Sequence, residues 1–164
     1  MSEPRLVLAT RNPGKLRELR EILRDAVPGL AVDAEVVDAG SLGVPDVPET
    51  GTTFAENSLL KARAVHEATG LPAIADDSGL SVDVLHGAPG IFSARWSGRH
   101  GDDAANLRLL LAQLADIPDP HRGAAFECAA SLVGPDTEVV QTGRLPGRLL
   151  TEPRGQHGFG YDPI

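Results

Sequence analysis

The stretch Ala73-Ile74-Ala75-Asp76-Asp77-Ser78-Gly79-Leu80 places two adjacent carboxylates directly after a short apolar run. The run reads as a buried strand and Ser78-Gly79 as the turn that ends it. Side chains on a strand alternate between faces, so Asp76 and Asp77 must point to opposite sides. Two like charges at the tip of an apolar strand cost free energy unless a cation or hydrogen-bond donors compensate. A divalent metal is one compensation, and hard carboxylate oxygens suit Mg²⁺. The other reading is that both carboxylates cap the turn and face solvent, since Asp and Ser are ordinary turn residues.

The remaining chain narrows the chemistry. Its 164 residues suit one domain, with 41% apolar and 23% charged residues as in a soluble globular protein. A net charge of −8 argues against a nonspecific grip on a nucleic-acid polymer. A single nucleotide is a different matter, because its phosphates can be met locally. Cys128 is the only cysteine, which excludes an internal disulfide; in its strand-like stretch it reads as a small buried hydrophobe. No apolar run approaches a membrane span and no signal-peptide pattern opens the chain, so the expected address is the cytoplasm.

Arg5 to Thr10 reads as a first buried strand. It runs into Arg11-Asn12-Pro13-Gly14-Lys15 and then a helix with Leu16, Leu19, Ile22 and Leu23 on one face. Asn12 suits the N-cap and Pro13 the first helical position. Thr10, Arg11, Asn12, Pro13, Gly14 and Lys15 thus form a candidate anion cradle of free backbone N–H groups, a positive dipole end and an ammonium. It is not a Walker A loop, which would need glycine at Ala9 and a hydroxyl residue at Leu16. An ordinary βα turn remains the other reading.

A second strand is expected over Ala31 to Val37, followed by a Pro/Gly-rich connection from Gly40 to Gly51 that carries Glu49. Thr53 and Glu56 form a capping box opening a helix that runs to about Thr69 and is closed by Gly70 and Pro72. Asn57 and Lys61, four residues apart, share a face of it. Leu80 to Val84 alternates as a further strand. Asp102-Asp103 starts a last helix, and strands are expected over Arg122 to Val133 and Glu138 to Arg144 around Gly134-Pro135-Asp136.

Phe159, Gly160, Tyr161 and Asp162 close the sequence with two of only six aromatic residues, set among glycines. Glycine lets backbone approach a flat ligand, and an aromatic face can stack on a base. A frayed terminus is the competing reading. Phosphates want the cradle and Lys61, a metal wants the carboxylates, and a base wants the aromatic clamp. These parts describe a nucleoside polyphosphate site.

Five motifs in order carry a resemblance across the whole sequence. They are Thr10 to Lys15, Glu49-Thr50-Gly51-Thr52-Thr53-Phe54-Ala55-Glu56-Asn57, Ala75 to Leu80, Gly87-Ala88-Pro89-Gly90-Ile91-Phe92-Ser93-Ala94-Arg95, and Gly158 to Pro163. Together they resemble the inosine triphosphate pyrophosphatase family, the non-canonical purine NTP pyrophosphatases. The resemblance implies hydrolysis of ITP, dITP and XTP to the monophosphate and pyrophosphate, a Mg²⁺ requirement and a homodimer. It implies an α/β fold with a long mixed twisted sheet flanked by helices, in two lobes around a central substrate cleft.

By position, the resemblance assigns the phosphates to Thr10 through Lys15, with Lys15 and Lys61 neutralising charge. Glu49 and Asp77 would hold the metal, and Asp77 would be the general base, supported by Asp76. Ser78 would touch substrate, while Phe159 through Asp162 would line the base and sugar pocket with Phe159 stacked on the purine. The family pattern continues through a Lys and a Ser-His-Arg that contact the base; this sequence contains no Ser-His-Arg and is expected to lack that segment. Two alternatives stand beside this reading: a Maf-like pyrophosphatase of other modified nucleotides, and a nucleotide-binding module without catalysis.

Overall fold

The computed structural model describes residues 3–156 and 158–164. Strand β1 (Leu6–Leu8) is followed by helix α1 (Pro13–Ala26), a single helical turn α2 (Val32–Glu35) and strand β2 (Val36–Asp38). Helix α3 (Phe54–Thr69) leads to the long strand β3 (Ala73–Val82), then helix α4 (Asp103–Gln113) and strands β4 (Gly123–Gly134) and β5 (Thr137–Arg148). The strands form one mixed α/β sheet in the order β2-β1-β3-β4-β5. β1 runs parallel to both neighbours, with Leu6 opposite Val36 and Leu8 opposite Ile74. β4 and β5 are joined by two residues, a length that only an antiparallel pair can bridge.

The chain divides into two compact units, one of Met1–Asp77 with Ala129–Gln141 and the other of Ser78–Cys128 with Thr142–Ile164. The boundaries fall inside β3, β4 and β5.

In the first unit the strand period of two divides the core. Leu6 and Leu8 pack with Leu23 of α1, Val32 and Val36, and Ile74 lies against them. Val7, Ala9, Ala73 and Ala75 pack with Ala62 and Val65 of α3 and with Val133. β1 is therefore buried on both sides, as a central strand of a parallel set is. In the second unit Leu80, Val82, Leu110, Leu114, Ala124, Leu149 and Tyr161 form a separate cluster.

Both helix starts in the first unit follow the sequence signals. Asn12 Oδ1 accepts from the Gly14 and Lys15 amides at 2.8 and 3.3 Å. At α3 the capping box is complete, and Gly70 closes the helix in the left-handed region at φ 71°.

Several expectations are corrected. Ser78-Gly79 is not a turn: β3 continues to Val82, so the paired aspartates lie inside a strand. Gly79 is needed there for close packing, since a Cβ would come within 2.5 Å of the Gly90 carbonyl oxygen and Ser93 Oγ. The strand anticipated over Leu80 to Val84 is the end of β3, and Asp83–Leu85 forms a 3-10 turn. The second strand shrinks to Val36–Asp38, because Ala31 to Glu35 closes a helical turn instead. Its Ala34 and Glu35 amides bond to the Ala31 carbonyl, and Glu35 Oε2 accepts from the Ala31 amide at 3.0 Å. Ile22 leaves the buried face of α1 and is 60% exposed. Cys128 is half-buried rather than enclosed.

Candidate active site

Strand alternation sends Asp76 to the face that Ile74 shares with α1, and Asp77 to the face that Ala73 and Ala75 share with α3. Each carboxylate meets the helix on its own side. Lys15 Nζ, in the first turn of α1, is 2.6 Å from Asp76 Oδ2. On α3, Asn57 Nδ2 donates to Asp77 Oδ2 at 3.0 Å, and Lys61 Nζ lies 3.9 Å from Asp77 Oδ1. Lys61 also reaches Glu49 Oε1 at 2.7 Å. All six residues belong to the first unit. They sit beyond the carboxyl end of β1, where open parallel sheets bind ligands.

Burial is the largest influence on Asp77 and raises its pKa above the ordinary carboxylate value, with the Glu49 charge acting the same way. Lys61, the Asn57 amide and Lys15 oppose that rise without cancelling it. A carboxylate whose pKa is raised toward the working pH makes a better general base. Asp76 is also buried, and its Oδ1 has no hydrogen-bond partner among the described residues.

The first βα turn is less open than the sequence suggests. The Gly14 and Lys15 amides are taken by Asn12 Oδ1, and the Leu16 amide by the Asn12 carbonyl. Thr10 Oγ1 accepts from the Asn12 amide, and Pro13 has no N–H to offer. Arg11 is engaged with the following loop, donating to the Val44 carbonyl at 2.6 Å and pairing with Asp46 at 2.9 Å. The cation this turn contributes at the acidic pair is therefore the Lys15 side chain.

The remaining candidates lie in the second unit. Ser78 is half-buried. The closing segment is tied down, not frayed: Gly160 donates to Asp103 Oδ2 at 3.1 Å, and Phe159 to Asp162 Oδ2 at 2.8 Å. The Asp162 carboxylate thus closes its own turn. Tyr161 is a core residue whose hydroxyl donates to the Ser93 carbonyl at 2.9 Å. Burial, with Asp103 nearby, pushes its pKa up to about 12. Phe159 is half-buried and is the ring of the two with more freedom to meet a ligand.

This arrangement can be set beside known proteins. Residues 6–164 match the Ham1 family. The chain belongs to the Ham1 family. It is 68% identical to the dITP/XTP pyrophosphatase of Streptomyces coelicolor, over 98% of this chain and 79% of that one. Identity to the Mycobacterium bovis dITP/XTP pyrophosphatase is 55%, over 98% and 78%. The solved structure of a HAM1 protein from Coxiella burnetii superposes with a TM-score of 0.83 at 41% identity, covering all of this chain and 81% of that one.

In this Ham1-family chain, the donor set fits a hard divalent cation. Glu49 and Asp77 face one ammonium, and Asp76 Oδ1 is a buried carboxylate oxygen left without a partner. Among the described residues no three acidic, histidine or cysteine side chains converge as a closed metal cage. The Glu49 and Asp77 carboxylates are the kind of oxygen donor Mg²⁺ takes, one or two at a time, with water and phosphate oxygens completing its shell. The residue whose part the sequence left unassigned is Asn57. Its one signal was the four-residue spacing to Lys61, which places both on the helix face that meets Asp77.

Proposed function

We propose that this chain hydrolyses non-canonical purine nucleoside triphosphates (ITP, dITP and XTP) to the monophosphate and pyrophosphate, clearing them from the cytoplasmic nucleotide pool. The observation that carries the reading is the buried Asp77, with its raised pKa, between two lysines and beside two further carboxylates. The names of the relatives supply the substrate class.

Lys15 and Lys61 offset the charge of the polyphosphate, leaving their carboxylate partners as substrate arrives. Asp77 takes the proton of the attacking water as its oxygen bonds to the α-phosphorus, and the bond from that phosphorus to the α–β bridging oxygen breaks, so that pyrophosphate leaves. Asp76 holds Lys15 until then. Glu49 and Asp77 would hold Mg²⁺, and the ion when bound supplies charge neutralisation on the phosphates and makes water easier to deprotonate. Phe159 stacks on the purine and Ser78 contacts the substrate. The chain works as a homodimer on free nucleotides, since its net charge of −8 does not favour a nucleic-acid polymer. No described helix is long and apolar enough to cross a membrane.

The test is a nucleotide panel scored for pyrophosphate and orthophosphate with Mg²⁺ present. Pyrophosphate from dITP, ITP and XTP, well above that from dATP and dGTP, is the expected result. Orthophosphate as the product, or tight binding without turnover, overturns it.

A further inference from the structure

The Asn57 side chain is fully buried, and both of its ends are used. Its Oδ1 accepts from the Gly51 amide at 2.8 Å, and its Nδ2 donates to Asp77 Oδ2 at 3.0 Å. One side chain therefore joins the loop that carries Glu49, two residues before Gly51, to the carboxylate of Asp77. The loop approaches so closely that a Cβ on Gly51 would lie 2.7 Å from Asn57 Oδ1 and 2.7 Å from Glu56 Cβ. Only glycine fits there. The capping box of Thr53 and Glu56 fixes the first turn of α3, so Asn57 is set in place by the residue before it.

A buried amide is not the residue that charge compensation calls for. Asp77 already has Lys61 and Lys15 in reach, and a neutral donor adds no countercharge. What an amide adds is direction: a planar donor 3.0 Å from one carboxylate oxygen selects a single rotamer of the aspartate. With Oδ2 engaged by Asn57, Asp77 Oδ1 is turned toward Lys61 Nζ at 3.9 Å.

We propose that Asn57 is a positioning residue: it holds Asp77 in one rotamer and in register with the Glu49 loop, so that Oδ1 is the oxygen that acts. This rests on the reading of Asp77 as the base. The bonds of Asn57 go to Asp77 and to the Gly51 amide, so its effect on the reaction passes through the groups it holds.

The experiment is a double-mutant cycle of Asn57→Leu and Asp77→Asn, read by dITP turnover, thermal midpoint and calorimetric Mg²⁺ affinity. Asn57→Leu is expected to lower kcat by about 10–100-fold, the usual loss when a supporting partner is removed, with KM held within about threefold. In the Asp77→Asn background the same change should have no further effect on kcat, because two residues acting as one unit are not additive. Effects that multiply across the cycle, or an Asn57→Leu variant within twofold of wild-type kcat, overturn the inference and leave the proposed function standing. Should Asn57→Leu fail to fold, Asn57→Asp keeps the acceptor for the Gly51 amide, while the donor to Asp77 gives way to a carboxylate oxygen that repels it. Wild-type kcat in that variant overturns the inference. If the wild-type chain releases no pyrophosphate at all, the proposed function fails. The positioning role is then decided by Mg²⁺ affinity, which Asn57→Leu must weaken.

Discussion

Asp76 and Asp77 are neighbours in β3 and are held by different helices: Lys15 of α1 lies 2.6 Å from Asp76 Oδ2, and Asn57 of α3 donates to Asp77 Oδ2 at 3.0 Å. The alternation of a strand thus sorts two like charges onto separate partners. One is held by an ion pair and the other by a directional amide with a more distant ammonium. The two should respond differently to mutation.

Asp77→Asn is expected to fold, to lose most turnover, and to be more stable than wild type in metal-free buffer at neutral pH. Burial raises the Asp77 pKa in the folded state. The stability linked to such a group is fully present below its unfolded value and is lost as pH rises through the folded value. At neutral pH the metal-free protein therefore carries the cost of a buried charge that the amide removes. Thermal midpoints in EDTA check this: the variant should lie higher near neutrality and converge with wild type in acid. A lower midpoint at neutral pH would show that Lys15 and Lys61 outweigh burial.

Lys15→Ala removes the ammonium and leaves Asp76 buried with neither oxygen paired. Breaking a buried pair from one side is destabilising, by up to about 3–5 kcal/mol where burial is complete. Lys15 keeps 17% of its side-chain surface exposed, so the cost should be smaller here. Adding Asp76→Asn should recover much of it, because the orphaned charge is gone. Substrate KM should stay raised in both variants if Lys15 meets phosphate. A double variant with wild-type KM would remove Lys15 from substrate binding.

Much of this was legible in the letters because it depends on local rules. Asn12-Pro13, Thr53 with Glu56, and Gly70 mark helix ends through backbone donors and acceptors within a few residues, and each end lies where those signals put it. The opposite facing of Asp76 and Asp77 follows from the strand period alone. What sequence could not supply depended on distant contacts. Ser78-Gly79 reads as a turn until Gly90 and Ser93 are seen crowding Gly79. Tyr161 reads as half of a clamp, yet its ring fills the core and its hydroxyl is bound to Ser93.

The cap of α3 sets the helix that carries Asn57 and Lys61 and should make it sensitive to acid. Glu56 accepts from the Thr52 amide and hydroxyl at 2.6 and 2.9 Å and from the Thr53 amide at 3.2 Å. These bonds, the Thr52 amide first, hold its pKa below the ordinary carboxylate value of 4.5. For a depressed group the added stability is present above the unfolded value and is lost as pH falls through the folded one. Glu56→Gln should therefore lower the urea midpoint at neutral pH and show a weaker loss below about pH 4 than wild type. Thr53→Ala, which deletes the reciprocal bond, should cost about 1 kcal/mol. Parallel titration curves for Glu56→Gln and wild type would show that the carboxylate adds nothing to the cap.

Phe159 and Tyr161 should separate binding from packing. Tyr161 is 7% exposed and lies among Leu80, Leu110 and Leu149, so Tyr161→Phe keeps the packing and deletes only the bond to the Ser93 carbonyl. A net hydrogen bond of this kind contributes roughly 0.5–1.5 kcal/mol, and the thermal midpoint should fall accordingly while KM for dITP holds within about twofold. Phe159 is half-buried, and Phe159→Ala should spare most of the stability. Loss of a stacked base is worth about 1–3 kcal/mol, so KM for dITP should rise by at least several-fold. The same variant should lose discrimination little, because a ring stacks on any purine face. A Tyr161→Phe protein with raised KM and unchanged midpoint would move the base contact to the tyrosine hydroxyl and leave Phe159 as packing.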